Sequence, residues 1–290
     1  METVDSLISQ VKISHMDMPD MATPEEIVAH HNSIQKIAEN SRLGVPVTFY
    51  SDPRHSLAFN EAAGDNRFHA RFPSELGFAA ARDEKLVKEF GDIERQEYLA
   101  LGIRLALHPM GDLATEPRWY RTYTTFGEDA DLSAKLTKAY VQGFQGEKIG
   151  THSVLTMTKH FPGGGPQKDG MDSHFDTGKE QVYPGNNFDY HLKPFTEGAL
   201  PAGTAQFMLY YGQPIGITEE EVGFAFNKEI VTDLLRDSLG FNGVVCTDWA
   251  LIYPNPAKPA SAWGVEHLSP KERVEKIITA GVDMFGGESC

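Results

Sequence analysis

The chain contains the stretch Gly240-Phe241-Asn242-Gly243-Val244-Val245-Cys246-Thr247-Asp248-Trp249, a short apolar run that ends on a carboxylate followed at once by an indole. Its apolar residues 244–246 predict a buried strand, because a continuous run of this length fits a sheet covered on both faces. Asp248 follows where that strand ends, beside a flat aromatic ring, and is our candidate for a reacting group. A loop or N-cap aspartate next to a core tryptophan is the alternative interpretation.

Strands and helices alternate along the rest of the chain. Thr23-Pro24-Glu25-Glu26 combines an N-cap, a proline at the first helical position and a capping-box glutamate, and Ser269-Pro270-Lys271-Glu272 repeats this start. Strands are predicted over 11–13, 44–50, 103–107, 154–158, 206–210, 244–246 and 282–285, with helices over 24–40, 83–101, 129–144, 227–239 and 269–281. This alternation predicts an α/β fold with a parallel sheet, either a closed (β/α)₈ barrel or a doubly wound fold.

Charge and cysteine content exclude several classes of protein. The formal net charge of −15 would repel a phosphodiester backbone, so we expect no nucleic-acid partner. Cys246 and Cys290 are the only cysteines, which excludes a disulfide framework and fits a reducing compartment. No apolar run approaches the ~18 residues of a membrane span, and residues 1–10 do not read as a secretion signal. We therefore expect no membrane partner and a cytoplasmic location.

Polar side chains follow the ends of several predicted strands. A barrel builds its active site at the carboxyl ends of its strands, so these residues could share one site. Strands of any α/β protein also tend to end in polar loops, and that explanation stays open. The residues are Asp52, His108, Lys159, His160, Tyr211 and Asp248.

A second motif is Lys159-His160-Phe161-Pro162-Gly163-Gly164-Gly165-Pro166. Its glycines allow a tight turn and close approach of a ligand, but the spacing fits neither common phosphate-binding loop. Adjacent side chains on a regular strand point to opposite faces, so Lys159 and His160 need a twist or bulge to reach one ligand. A solvated lysine and a core histidine are the alternative.

The loop beyond this motif carries Asp172-Ser173-His174. An aspartate two residues before a histidine can orient its imidazole as an acid/base. Metal ligation is the weaker interpretation, because no H-E-x-x-H sequence or cysteine pair completes a site, and we expect neither metal nor cofactor. An incidental pair on a surface loop remains the simplest interpretation.

Together these motifs resemble a known family. The stretches 159–165 and 240–249 look like the two signature stretches of family 3 glycoside hydrolases, and the resemblance covers roughly residues 20 to 288. Three further segments occur in the family's order: Arg42-Leu43-Gly44-Val45-Pro46, Phe72-Pro73-Ser74, and Pro117 to Arg121 continuing through Phe126-Gly127-Glu128-Asp129. The resemblance implies a TIM-like (β/α)₈ barrel with Asp248 as the catalytic nucleophile.

By the same resemblance the protein is a retaining exo-acting β-glycosidase, most similar to β-glucosidases, that acts on carbohydrate. Asp248 would attack the anomeric carbon and form a glycosyl-enzyme ester, which water hydrolyses with net retention. The residues that the resemblance assigns to sugar binding are Asp52, Arg121, Lys159 and His160, and further Arg82, Tyr211 and Trp249.

The chain departs from the family in its acid/base. β-Glucosidase-like members typically take this group from a domain after the barrel, whereas this sequence, which we expect to be a single domain over 1–290, stops at Cys290. The β-N-acetylglucosaminidase branch uses an Asp–His dyad instead, which Asp172 and His174 resemble. Six residues separate Gly165 from Asp172, where that branch usually has four. A catalytically incomplete sugar-binding barrel is the third interpretation.

The ends of the sequence also look short for a complete barrel. Only five residues follow 282–285, so the helix that should cover the last strand is missing from the sequence. A barrel without that helix exposes apolar surface and an open edge. We therefore expect the chain to self-associate or to bind a missing C-terminal part.

Overall fold

The computed structural model describes residues 3–18, 23–56, 68–254 and 259–288. The strands in these ranges are β1 His15–Asp17, β2 Thr48–Ser51, β3 Ile103–Ala106, β4 Leu155–Phe161, β5 Glu180–Gln181, β6 Gln206–Leu209, β7 Gln213–Pro214, β8 Val244–Trp249 and β9 Met284–Gly286. The α-helices are α1 Val4–Ser6, α2 Pro24–Glu39, α3 Glu75–Ala81, α4 Glu84–Leu101, α5 Ala130–Gln145, α6 Phe188–Lys193 and α7 Pro270–Ala280. Leu7–Val11, Pro194–Ala199 and Glu229–Ser238 are π-helical.

Seven strands form one parallel sheet in the order β1-β2-β3-β4-β6-β8-β9, and β5 pairs with β7 apart from it. The sheet is curled, because the two edge strands line the same cavity together with Leu105 of β3 and Met157 of β4. This confirms the predicted α/β class with a parallel sheet. Since all seven strands run the same way, their carboxyl ends meet at one rim.

The core lies on both faces of this sheet, as the apolar run at 244–246 predicted. Leu105, Met157 and the free thiol Cys246 belong to one apolar cluster. Larger clusters pack between the sheet and the surrounding helices, one of them around Phe207 and Val245. Because β8 is covered on both faces, its backbone is fixed and its last residues are held in place at the rim.

The helix starts are confirmed where capping residues predicted them. Thr23 accepts the N–H of Glu26, and Ser269 forms the capping box with Glu272. The strand predicted over 11–13 was wrong: Val11 ends a π-helical segment and Lys12 takes a left-handed conformation with φ 69°. No helix within the described residues is long and apolar enough to cross a membrane.

Candidate active site

Asp248 lies near the carboxyl end of β8 and is 6% exposed. Its Oδ1 accepts hydrogen bonds from the Tyr211 hydroxyl and from the Trp249 N–H, both at 2.8 Å. Its Oδ2 is buried and accepts no hydrogen bond from the described residues. The carboxylate is therefore held through Oδ1 alone, and Oδ2 has no hydrogen-bond partner among the described residues.

Tyr211 follows β6, and its hydroxyl donates the hydrogen bond that holds Asp248. Burial, followed by the neighbouring charge of Asp248, raises the pKa of this phenol well above its ordinary value. Tyr211 thus keeps its proton at neutral pH and donates to the carboxylate.

Lys159 and Asp52 form an ion pair across the sheet. Lys159 Nζ donates to Asp52 Oδ1 at 2.6 Å, and the lysine side chain is 7% exposed against 20% for the aspartate. Burial alone would raise the pKa of Asp52, but the ammonium of Lys159 lowers it below its ordinary value. Asp52 follows β2 and Lys159 lies in β4, so the pair fixes two strand ends relative to each other.

His160 is held by a buried carboxylate that the sequence did not single out, Asp112. Asp112 Oδ2 accepts from the His160 backbone N–H at 3.1 Å and lies 2.9 Å from His160 Nδ1, while its Oδ1 accepts from the N–H of Gly164. Burial opposes ionisation of Asp112, but His160 and these hydrogen bonds lower its pKa. Burial also lowers the pKa of His160, so we assign a neutral imidazole with its proton on Nδ1.

That tautomer leaves His160 Nε2 without a proton. Nε2 lies 3.4 Å from Arg121 Nη1, which can donate to it, and 3.8 Å from Asp248 Oδ2. Because Nε2 presents a lone pair towards Asp248, it donates no hydrogen bond to Asp248 Oδ2. The predicted irregularity at Lys159 and His160 is confirmed as well, since the register of β4 against β6 shifts between Thr158 and Phe161 and the Lys159–His160 peptide bond is cis.

The glycine-rich loop after β4 packs against protein. A Cβ at Gly165 would fall 1.8 Å from the carbonyl oxygen of Leu113, and one at Gly164 would fall 2.8 Å from Asp112 Oδ1. These glycines are therefore needed for the backbone to approach the chain after β3. The same approach brings Gly164 N–H to the carboxylate that orients His160.

The Asp172–His174 pair joins the same rim. Asp172 Oδ1 lies 2.5 Å from His174 Nδ1, and Asp172 Oδ2 accepts from Trp119 Nε1 at 2.6 Å and from the Tyr210 hydroxyl at 2.8 Å. Burial would raise the pKa of Asp172, but its hydrogen bond with His174 lowers it. The His174 ring packs on Tyr211 with centroids 4.5 Å apart, and its side chain is 26% exposed.

The chain that carries this rim matches a known protein family. The chain matches the Glycosyl hydrolase family 3 N terminal domain over residues 2–285. The chain belongs to glycoside hydrolase family 3. The resemblance seen in the sequence is thereby confirmed.

Relatives of this family 3 chain include several named glycosidases. It is 50% identical to the β-glucosidase C of Emericella nidulans, over 99% of this chain and 47% of the relative. It is 43% identical to the periplasmic β-glucosidase/β-xylosidase of Dickeya chrysanthemi, over 91% of this chain and 43% of the relative. The solved family 3 β-N-acetylglucosaminidase of Paenibacillus sp. str. FPU-7 shares its fold with a TM-score of 0.81 and 25% identity, over 97% of this chain and 50% of that one. The chain thus spans about half the length of these proteins.

The side chains of three residues singled out in the sequence lie apart from these contacts. Arg82 is exposed at the C-cap of α3, and no hydrogen bond or ion pair within the described residues joins it to the rim. The Trp249 indole lies against Gly287, where a Cβ would fall 1.9 Å from Cδ1, and lines the cavity inside the sheet. Their roles in sugar binding stay predictions. His108 is fully buried, and burial lowers its pKa to about 4, so it is a core histidine.

Reasoning from the sequence missed Asp112, Tyr210 and Trp119. Tyr210 links both halves of the rim, since Arg121 Nη1 lies 3.5 Å from its hydroxyl and that hydroxyl donates to Asp172. Its position directly before Tyr211, at the end of a predicted strand, was a usable signal. Trp119 lies within the segment Pro117 to Arg121 that carries the family resemblance but was given no role there, whereas Asp112 lies in the loop after β3, where no local pattern marks it.

Proposed function

We propose that the chain carries the nucleophile and sugar-binding site of a retaining, exo-acting β-glycosidase that prefers β-glucosides. The observation that carries this proposal is the state of Asp248, whose Oδ2 is buried, accepts no hydrogen bond from the described residues and lies 3.8 Å from His160 Nε2. A carboxylate oxygen that accepts no hydrogen bond and lies beside fixed polar groups is suited to attack a carbon that develops positive charge.

In this mechanism Asp248 Oδ2 forms a bond to the anomeric carbon while the bond to the leaving oxygen breaks. That oxygen takes a proton from the acid/base, and water later hydrolyses the ester with net retention. Asp52, Lys159, His160 and Arg121 hold the sugar hydroxyls. Their mutual ion pairs and hydrogen bonds fix them before the sugar arrives, so little ordering is required on binding.

The curled sheet supports a TIM-like (β/α)₈ arrangement for this domain. Its edge strands line one cavity, and the proposed site residues other than Arg121, which lies in the loop after β3, lie at the carboxyl ends of β2, β4, β6 and β8. Active sites of such barrels occupy this end.

The preference for β-glucosides rests on a relative at 50% identity that is named a β-glucosidase and one at 43% that is named a β-glucosidase/β-xylosidase. Hydrolysis of an aryl β-glucoside, followed by NMR of the first-formed sugar, tests both the β-glucosidase activity and the retaining mechanism. We expect β-glucose to appear first. First-formed α-glucose, or binding of glucose without turnover of any aryl glycoside, would contradict the proposal and favour a sugar-binding barrel.

The Asp172–His174 dyad supports a second candidate, a β-N-acetylglucosaminidase with His174 as acid/base. In its favour, His174 is held by Asp172 and packs on Tyr211, the tyrosine that binds Asp248. A ratio of kcat/KM for the matched aryl glucoside and aryl N-acetylglucosaminide separates the two. A higher value for the N-acetylglucosaminide would replace our first proposal with the second.

Whether His174 protonates the leaving group can be tested independently of which sugar the chain prefers. A dinitrophenolate leaves unprotonated, whereas a methylumbelliferyl group benefits more from protonation. If His174 is the acid, His174→Ala lowers kcat/KM much more for the methylumbelliferyl glycoside than for the dinitrophenyl glycoside. An equal loss on both substrates would exclude His174 as the acid.

A further inference from the structure

A second cluster of ionisable side chains lies between α4 and the chain after β2. His55 Nε2 is 2.8 Å from Glu97 Oε2, and His69 Nδ1 is 3.3 Å from the same oxygen. One ligand atom from each of these three residues lies within 4.8 Å of the other two. The His55 and His69 side chains are 1% and 3% exposed, while that of Glu97 is 31% exposed. The cluster is therefore largely buried but open to solvent at the carboxylate.

Hydrogen bonds within the cluster leave several of its polar atoms unsatisfied. His69 Nδ1 is buried and points at Glu97, yet it makes no hydrogen bond with any residue that the structure describes. His55 Nδ1 and Glu94 Oε1 lie 2.8 Å apart without hydrogen-bond geometry. A buried imidazole nitrogen that makes no hydrogen bond is costly, and two of them facing carboxylates favour a bound cation between these groups.

A protonated His55 between Glu94 and Glu97 is the simplest alternative. It accounts for the contacts of His55 but leaves His69 Nδ1 pointing at the cluster without a hydrogen bond from the described part of the chain. A cation bound by all three ligand atoms would satisfy both imidazoles at once.

We propose that His55 Nε2, His69 Nδ1 and Glu97 Oε2 bind a first-row transition-metal dication such as Zn²⁺. Four-coordinate zinc with bonds of about 2.0–2.1 Å places its ligand atoms about 3.3 Å apart. The two distances to Glu97 Oε2, 2.8 and 3.3 Å, need only a small expansion to reach this value. Binding displaces the proton of His55 Nε2 to solvent, and water takes the fourth position at the exposed side of Glu97.

Groups around the cluster are placed to hold the three proposed ligands in position. Glu94 lies one helical turn before Glu97 on α4, is 0% exposed and faces His55 Nδ1, the nitrogen opposite the proposed metal bond. A carboxylate in this position orients a metal-binding histidine. The Ala70 N–H also donates to Glu97 Oε2 at 3.1 Å, which holds the third ligand in place.

Two nitrogen ligands and one oxygen favour a transition metal over the hard cations Mg²⁺ and Ca²⁺. His55 follows Asp52 by three residues, and Glu97 lies on α4. A metal here would therefore tie the segment that carries Asp52 to the helix behind it, which gives it a structural role.

Calorimetric titration of the chelator-treated chain with ZnCl₂ tests the proposal without an activity assay. We expect one Zn²⁺ per chain, a melting temperature that rises with zinc, and no such rise with Mg²⁺. Cobalt substitution should give the visible absorption of a four-coordinate centre. His69→Gln and Glu97→Gln should each weaken binding at least ~10-fold, with a smaller loss in Glu94→Gln.

His191→Gln is the matched control, because His191 is also 1% exposed and its Nδ1 makes no hydrogen bond within the described ranges. It should bind zinc like the parent chain. Absence of stoichiometric zinc binding in the parent, an equal response to Mg²⁺, or unchanged binding in both ligand variants would overturn the proposal. The cobalt spectrum of the unmutated chain decides the matter if a variant does not fold.

Discussion

Two buried aspartates, Asp112 and Asp248, face the two nitrogens of His160 and differ in how their oxygens are used. Asp112 is 0% exposed, and both its oxygens are engaged, by the backbone and ring of His160 and by the N–H of Gly164. Asp248 is held only through Oδ1, and its Oδ2 accepts no hydrogen bond from the described residues. A fully satisfied carboxylate positions its neighbours, whereas one with a bare oxygen is available for chemistry.

Replacing Asp248 should have the largest effect. We expect Asp248→Asn to lower kcat/KM on an aryl β-glucoside by on the order of 10⁴-fold or more, because the amide is a far weaker nucleophile. Its free energy of unfolding should change little, since the amide oxygen still accepts from Tyr211. Asp237→Asn, at an exposed position, serves as the control. Substantial turnover by Asp248→Asn would assign the nucleophile elsewhere.

In contrast to Asp248→Asn, Asp112→Asn should lower the free energy of unfolding and have a smaller effect on kcat/KM. The amide NH₂ group of the variant must face at least one of the N–H groups from which Asp112 now accepts a hydrogen bond. This leaves a buried donor unsatisfied and costs ~1–3 kcal/mol of unfolding free energy. With His160 no longer held in its tautomer, kcat/KM should fall by about 10²-fold. Urea denaturation and steady-state kinetics measure both quantities. A variant of parental stability would refute the structural role of Asp112.

Tyr211→Phe should have a smaller effect on catalysis. It removes the phenol that donates to Asp248 Oδ1 at 2.8 Å but keeps the ring. A hydrogen bond to a charged group is worth ~1.5–3 kcal/mol, so we expect kcat/KM to fall by about 10- to 100-fold. Because this hydroxyl orients the nucleophile, the rate of trapping by a 2-fluoro-glucoside should fall in parallel. If trapping is as fast as in the parent chain, Tyr211 does not orient Asp248.

The smallest effect is the pH dependence of stability. The pKa of Asp112 is lowered from its ordinary 3.8, so at mildly acidic pH the unfolded chain binds more protons here than the folded one. The stability that Asp112 contributes is therefore present above about pH 4 and is lost as pH falls through its folded pKa. The difference in unfolding free energy between the parent and Asp112→Asn should shrink as the pH is lowered below 4. A difference that stays constant from pH 7 to 3 would contradict the lowered pKa.

Local sequence signals were sufficient where a short segment determines its own structure. The capping residues Thr23 and Ser269 mark true helix starts, and the apolar run at 244–246 is a strand buried on both faces. The motif around Lys159 and His160 likewise marks the rim. In each case the deciding interactions lie within a few residues of one another.

Contacts between distant segments could not be predicted from local sequence patterns. Asp112 holds His160 from 48 residues away, and Trp119 reaches Asp172 across 53 residues. His108 follows a strand as the rim residues do, but Tyr98 and Tyr140 bind it inside the core. Which polar groups at strand ends face the rim depends on how the sheet curls, and no local pattern encodes that.

Trapping with a 2-deoxy-2-fluoro-β-glucoside that bears a dinitrophenyl leaving group tests the central claim most directly. The fluorine slows hydrolysis of the ester, and the leaving group needs little help from an acid, so the nucleophile alone is examined. Peptide mass spectrometry should find one fluoroglucosyl group per chain, attached to Asp248 and absent from Asp248→Asn. An adduct on Asp52, Asp112 or Asp172, or no adduct in a chain that hydrolyses the parent glucoside, would contradict the account.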